Sequence, residues 1–127
     1  MKKFYVYILT NINKTVLYTG FTDDIVRRIQ EHKDKKYEGF TNFYNVNRLV
    51  YFETHITVEY AMKRENQLKK WNRSWKNNLI NKLNPDWKDL SENFNKKLTD
   101  LEFLELLFKN LNNPNRDSRL HGNEPEI

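Results

Sequence analysis

The sequence predicts an α+β fold: a small α/β sandwich in which a three-stranded antiparallel sheet is flanked by helices. Three observations carry this expectation. Two short β-like runs flank a polar centre in "YVYILTNINKTVLYTG", residues 5–20. "RLVYFET", residues 48–54, is a third run of β-branched and aromatic residues. The stretches after the second and third runs carry the capping residues and apolar spacing of helices. A chain of 127 residues is long enough for one domain with a tail.

Residues 4–10 and 15–20 form a hairpin if Asn11, Ile12, Asn13 and Lys14 make its loop. In that register Thr10 faces Thr15, and Tyr7 lies directly opposite Tyr18, two phenols on one face. "TDDIVRRIQEHKDKK" predicts a helix from about Asp23 to Lys36, capped by Thr22 or Asp23, with acidic residues in the first turn and lysines at the end. "YEGFTNFYNVN" reads as a loop containing Thr41 and Tyr44. The third strand follows. "HITVEYAMKRENQLKKWN" is a second helix capped at Thr57, and "RSWKNNLINKL" a third that stops before Pro85. The order is β-β-α-β-α-α, with residues 1–90 as the domain. Residues 91–127 form a C-terminal extension. In it Leu98, Leu101, Leu104, Phe108 and Leu111 have helical spacing, so an amphipathic helix is expected over about 98–111, followed by a flexible end.

The chain has no cysteine, which excludes disulfides and thiolate metal sites. It has no apolar run long enough to span a bilayer, and the N-terminus lacks a small-residue cleavage site, so a cytoplasmic protein is expected. Residues 1–90 carry 17 Lys/Arg against 10 Asp/Glu, a net +7, whereas residues 91–127 carry 5 against 7, a net −2. The densest basic stretch, residues 61–88, holds eight cations, among them Lys63, Arg64, Lys69, Lys70 and Arg73, against Glu65 and Asp86. Such a surface attracts polyanions, nucleic acid first; a solubilising surface is the plainer alternative.

Three departures from the local pattern single out chemistry. The first helix has an inward stripe of Ile25, Ile29 and His32, with Arg28 one turn before the histidine and able to touch it. The second helix has Val58, Ala61, Met62 and Leu68 on its inward stripe, and Glu65 falls among them. A buried carboxylate requires a partner, either a cation from another element or a hard divalent ion such as magnesium. The third departure is the pair of phenols on the hairpin. Each feature alone also fits a structural role. Together they contain what phosphodiester hydrolysis requires: a cation against developing charge, a base for the attacking water and a proton or metal for the leaving oxygen. A tyrosine with its ordinary pKa near 10 is a poor base at neutral pH unless its surroundings change that.

In this arrangement "YVYILTN", "VLYTGFTDDIVRRIQEHK", "LVYFE", "AMKRENQLKKW" and "NPDWKDLS" stand in order over about residues 3–90. The ordered set resembles the GIY-YIG nuclease superfamily, and most closely its small single-domain bacterial proteins of the excision-nuclease-related group. The resemblance implies Tyr7, Tyr18, Arg28 and His32 as catalytic residues, with Glu65 as the ligand of a single Mg²⁺ or Mn²⁺ ion. It also implies one-step attack by water, with a tyrosine as general base or positioning group; Tyr18, at the turn leading to the Arg28 helix, is favoured for that role. Many superfamily members carry a late asparagine, for which Asn77, Asn78, Asn81 and Asn84 are candidates by position and Asn84, in "NP", is favoured; Thr41 and Tyr44 lie on a loop that the family places near the active face. The expected partner is DNA, branched, nicked or foreign, with Lys63, Arg64, Lys69, Lys70 and Arg73 as contacts and no membrane. This chain departs from the motifs at Tyr5, Thr19 and Phe21. Trp71, Trp75 and Trp87 are expected to pack in the core. Two rivals to an endonuclease are a nucleic-acid-binding module that keeps the fold without useful catalysis and an interaction module working through the helix at 98–111.

Overall fold

The computed structural model describes residues 2–35 and 39–96. The helix expected at 98–111 and the flexible end lie outside these residues. Three strands, β1 (Phe4–Thr10), β2 (Leu17–Thr22) and β3 (Arg48–His55), form one antiparallel sheet in the order β2-β1-β3. The helices are α1 (Ile25–Lys33), a single turn α2 (Phe40–Phe43), α3 (Val58–Lys70) and α4 (Arg73–Leu83), and a 3₁₀ helix spans Leu90–Lys96. The α+β architecture and the predicted element order are both present, with α2 and the 3₁₀ helix in addition.

β1 is the central strand, and its alternation divides the domain. Val6 and Ile8 face α3 and α4 in one core with Ala61, Leu68, Trp71, Leu79, Ile80 and Trp87. Tyr5, Tyr7 and Leu9 face the other way, into a second core with Ile25 and Ile29 of α1, Leu49 and Phe52. Leu90 and Phe94 of the 3₁₀ helix pack on this second core, so the described residues just past 90 still cover the domain. All three tryptophans pack in or against the first core, as expected, and Trp71 meets Trp75 edge to face.

The hairpin register differs from the one counted from a four-residue loop. Thr10 pairs with Leu17, and Tyr7 pairs with Gly20 on one side and Phe52 on the other; Tyr18 pairs with Leu9. The turn is longer because Asn11 organises it. Its Oδ1 accepts from the backbone N–H of Thr15 at 2.8 Å, its Nδ2 donates to Thr15 Oγ1 at 2.6 Å, and Lys14 takes φ 58°. The slip is two residues, and two is the side-chain period of a strand, so both phenols stay on the same face. They become diagonal rather than direct neighbours.

The first helix is also shorter than expected. Asp24, not Thr22 or Asp23, caps it by accepting from the Arg27 N–H, while the Thr22 hydroxyl accepts from the N–H of Asp24. Thr57 caps α3 as expected.

Asn84 closes α4 and is buried. Its Nδ2 donates to the carbonyls of Val50 at 3.0 Å and Lys88 at 2.9 Å, and its Oδ1 accepts from the Lys88 N–H at 3.0 Å. The amide therefore ties β3 to the connector before the 3₁₀ helix. This structural role replaces the site-supporting role expected from the sequence. Asn84→Ala strands three backbone groups, and we expect it to lower the unfolding free energy by about 2–3 kcal/mol in urea titration.

Candidate active site

The site is built on the α1 face of the sheet. Tyr7, at 1% exposure, points from the centre of β1 toward α1, where His32 occupies the last inward position of the helix stripe. The Tyr7 hydroxyl lies 3.2 Å from His32 Nε2. Tyr18 comes from β2 on the same face. Its ring centroid is 6.4 Å from that of Tyr7 and 5.6 Å from that of His32. The two phenols and the imidazole thus form one contiguous cluster, as the sequence pattern anticipates.

Arg28 stands one turn before His32 and is partly exposed; its Nε is 3.5 Å from Glu31 Oε1. Burial, reinforced by the neighbouring Arg28 charge and opposed by Glu31, lowers the His32 pKa to about 4. At neutral pH His32 is therefore an uncharged imidazole, with one ring nitrogen able to accept a hydrogen bond.

Gly20 makes the close approach possible. It pairs with Tyr7 across the ladder, and a Cβ at this position would lie 2.6 Å from the Tyr7 hydroxyl oxygen and 3.1 Å from Tyr18 Cε2. The glycine stands in "VLYTGF", where the local pattern gives it no evident role. The close contact exists only once β2 is paired with β1.

Aromatic surface extends outward from the phenols. Phe40 of α2 stacks on Tyr18 with centroids 6.5 Å apart, Tyr44 packs on Phe40 at 4.8 Å, and Phe43 packs on Tyr44. Tyr44 therefore reaches the site through Phe40, which the sequence did not single out. Thr41 is buried, and its carbonyl accepts from the Val46 N–H at 2.8 Å.

Glu65 comes from the other face of the sheet. Ala61 and Leu68 are the fully buried, sheet-facing residues of α3. At about 100° per residue, positions 64 and 65 fall on opposite flanks of that line. Arg64 reaches Glu53 on β3, so Glu65 lies on the flank toward β2, the strand that bears Tyr18. Its carboxylate is half-buried, 3.4 Å from Lys69 Nζ. No described contact joins it to the tyrosine cluster. Met62, expected on the inward stripe, is exposed, and Arg64 takes the buried place instead.

Arg64 is thereby removed from the expected DNA contacts: it is 8% exposed and bound to Glu53 and Gln67. Its burial rests on the wholly buried Glu53 carboxylate of β3, a partner that nothing in the α3 sequence reveals. Lys63, Lys69 and Lys70 are exposed. Arg73 is at the surface too, and its guanidinium donates to the carbonyls of Lys14 and Thr15 in the hairpin turn.

Among the described residues no group of three or more His, Asp or Glu is placed to hold a metal ion. A single half-buried carboxylate suits a hard ion whose remaining ligands are water and phosphate oxygens, which is the ordinary habit of Mg²⁺. Glu65 fits that description. No helix among the described residues is long and apolar enough to cross a membrane.

The model of the GIY-YIG catalytic domain matches residues 3–81. The chain belongs to the GIY-YIG family. It is 44% identical over 87 residues to a UPF0213 protein of Syntrophus aciditrophicus, covering 68% of this chain and 98% of the relative. A UPF0213 protein of Staphylococcus epidermidis is 36% identical over 80 residues, covering 63% and 96%. The solution structure of a UPF0213 protein from Bacillus halodurans is 31% identical and covers 76% of this chain and 97% of its own, with a TM-score of 0.41. The matched residues 3–81 include Tyr7, Tyr18 and His32, so the cluster lies inside the GIY-YIG domain.

Two outcomes follow from this geometry. Gly20→Ala forces the Tyr7 hydroxyl off His32, and we expect a fall in melting temperature together with a changed His32 imidazole signal in NMR. The second concerns acid stability. The folded pKa of His32 lies below its unfolded value of about 6.5, so between pH 6.5 and about 4 the unfolded chain binds more protons. Stability is therefore full above pH 6.5 and is lost as pH falls through that window. His32→Asn should flatten this part of a melting-temperature–pH profile.

Proposed function

We propose that the protein is a metal-dependent DNA endonuclease that hydrolyses phosphodiester bonds. The observation that carries this reading is the Tyr7 hydroxyl held 3.2 Å from an imidazole that is neutral at pH 7, beside a second phenol and with Arg28 one turn away. A phenol with its ordinary pKa does not deprotonate water, but a phenol hydrogen-bonded to a neutral imidazole can pass a proton through.

In this mechanism a water molecule attacks the phosphorus. Its proton passes to the Tyr7 oxygen as the Tyr7 proton passes to His32 Nε2. The new P–O bond forms while the bond to the leaving oxygen breaks, and solvent supplies that oxygen with its proton. Arg28 stabilises the charge that develops on the phosphate. The Tyr7–His32 pair, rather than Tyr18, moves the proton, because the imidazole is hydrogen-bonded to Tyr7. Tyr18, on the more open side of the cluster, orients the phosphate or the water. Glu65 would hold a single Mg²⁺ or Mn²⁺ ion, whose charge would oppose the developing negative charge. Lys63, Lys69 and Lys70 supply long-range attraction for DNA. The setting is the cytoplasm, in DNA repair, recombination or defence against foreign DNA.

The test is cleavage of plasmid, branched and single-stranded DNA by the full chain with Mg²⁺ or Mn²⁺. Arg28→Ala and Glu65→Ala should abolish cutting while retaining binding. Tyr7→Phe should lower kcat by about 100-fold or more, with little change in KM. Binding without cleavage by the unaltered protein across these substrates would replace the enzyme with a nucleic-acid-binding module.

A further inference from the structure

A second polar cluster lies on the sheet face opposite Tyr7 and is not used by the hydrolysis described above. Its anchor is Glu53, a carboxylate with no exposed surface. The Tyr51 hydroxyl donates to it at 2.6 Å, His55 Nε2 is 2.6 Å from it, and Arg64 Nε donates to its two oxygens at 3.2 and 3.1 Å. Arg64 is held further by Gln67, which accepts from its Nη1 at 2.8 Å, and by the Trp71 ring, 5.1 Å from the guanidinium carbon. This charged side chain is thus fixed in place on several sides before any ligand arrives.

Beside it is a pocket of about 450 Å³, lined by His55, Tyr60, Lys63, Arg64, Gln67 and Lys70 among others. That volume falls within the roughly 300–1,000 Å³ of small-ligand sites. Three cationic side chains line the pocket, while a single carboxylate lies beneath it. The carboxylate offsets Arg64; among the described residues neither Lys63 nor Lys70 has an ion-pair partner within 4.0 Å. His55, held by Glu53 through Nε2, also lines the pocket. Tyr60 adds an aromatic ring that is 62% exposed, a large apolar surface at the edge of a basic pocket.

We propose that this pocket binds a nucleoside phosphate. The phosphate sits against Lys63, Lys70 and His55, with Arg64 fixed behind them, and the base lies on Tyr60. Cations on a rigid floor meet the phosphate, and an exposed ring meets the base by stacking. The ligand is either a free nucleotide or the phosphorylated end of a nucleic-acid strand, which share this chemistry. The proposal does not depend on the nuclease reading, because the pocket lining contains none of Tyr7, Tyr18, Arg28, His32 and Glu65.

The experiment is calorimetric titration of the full chain with adenosine 5′-monophosphate and with inorganic phosphate, in the absence of divalent metal. The paired substitution Lys63→Ala and Lys70→Ala should weaken binding of the nucleotide about tenfold or more. Tyr60→Ala should weaken the nucleotide severalfold and leave inorganic phosphate unchanged. Both variants alter exposed side chains, and circular dichroism will verify their fold. Arg28→Ala should bind the nucleotide as the unaltered protein does. No nucleotide binding by the unaltered chain, full binding by the lysine variant, or loss of binding in Arg28→Ala each overturns the proposal. Displacement of the nucleotide by a 5′-phosphorylated oligonucleotide supports the strand end as the ligand, and binding that resists displacement supports the free nucleotide.

Discussion

Tyr7 stands in the middle of a strand that is hydrogen-bonded on both edges and covered on both faces. Its ring stabilises the second core, but its hydroxyl is taken from water and requires a partner; an unpaired one costs about 1–3 kcal/mol. His32 supplies that partner from α1. The same hydrogen bond satisfies the core and joins β1 to α1 at the candidate site. It holds α1 over the sheet with Arg28 one turn away, and it requires Gly20 on β2, because any side chain there would collide with the phenol.

The opposite face solves a similar problem with charge. Glu53 is wholly buried and is neutralised by Arg64, with Tyr51 and His55 completing its hydrogen bonds. One arginine of the basic helix is therefore spent on stability, while its exposed lysines remain on the surface. The two polar clusters lie on opposite faces of one thin sheet, separated by the alternation of β1. A change in one can therefore leave the other in place, which allows independent tests of each.

Much of the candidate site was legible because its positions follow from periodicity. His32 lies at the end of a helical stripe begun by Ile25 and Ile29, and it is buried where that stripe places it. The phenols share a face because both strands alternate, and a register slip of two residues leaves that face unchanged. Arg64 and Asn84 were misplaced for one reason. Each is buried by a partner far along the chain, Glu53 for the arginine and the Val50 carbonyl for the asparagine, and a local pattern carries no record of such a partner.

The sequence by itself determined the order of strands and helices, the concentration of positive charge in the first ninety residues, and the set of residue types from which the candidate site is built. Those are properties of composition and of the 2-residue and 3.6-residue periods, which act over a few neighbours. Tertiary structure alone decided that His32 meets Tyr7 through a hydrogen bond, that Gly20 must lack a side chain, that Arg64 turns inward and that Glu65 falls on the flank of α3 nearer β2. Each of these depends on which elements lie against one another and in what register. That is settled by burying both faces of β1 at once, with the Tyr7 hydroxyl and the Glu53 carboxylate each given a partner.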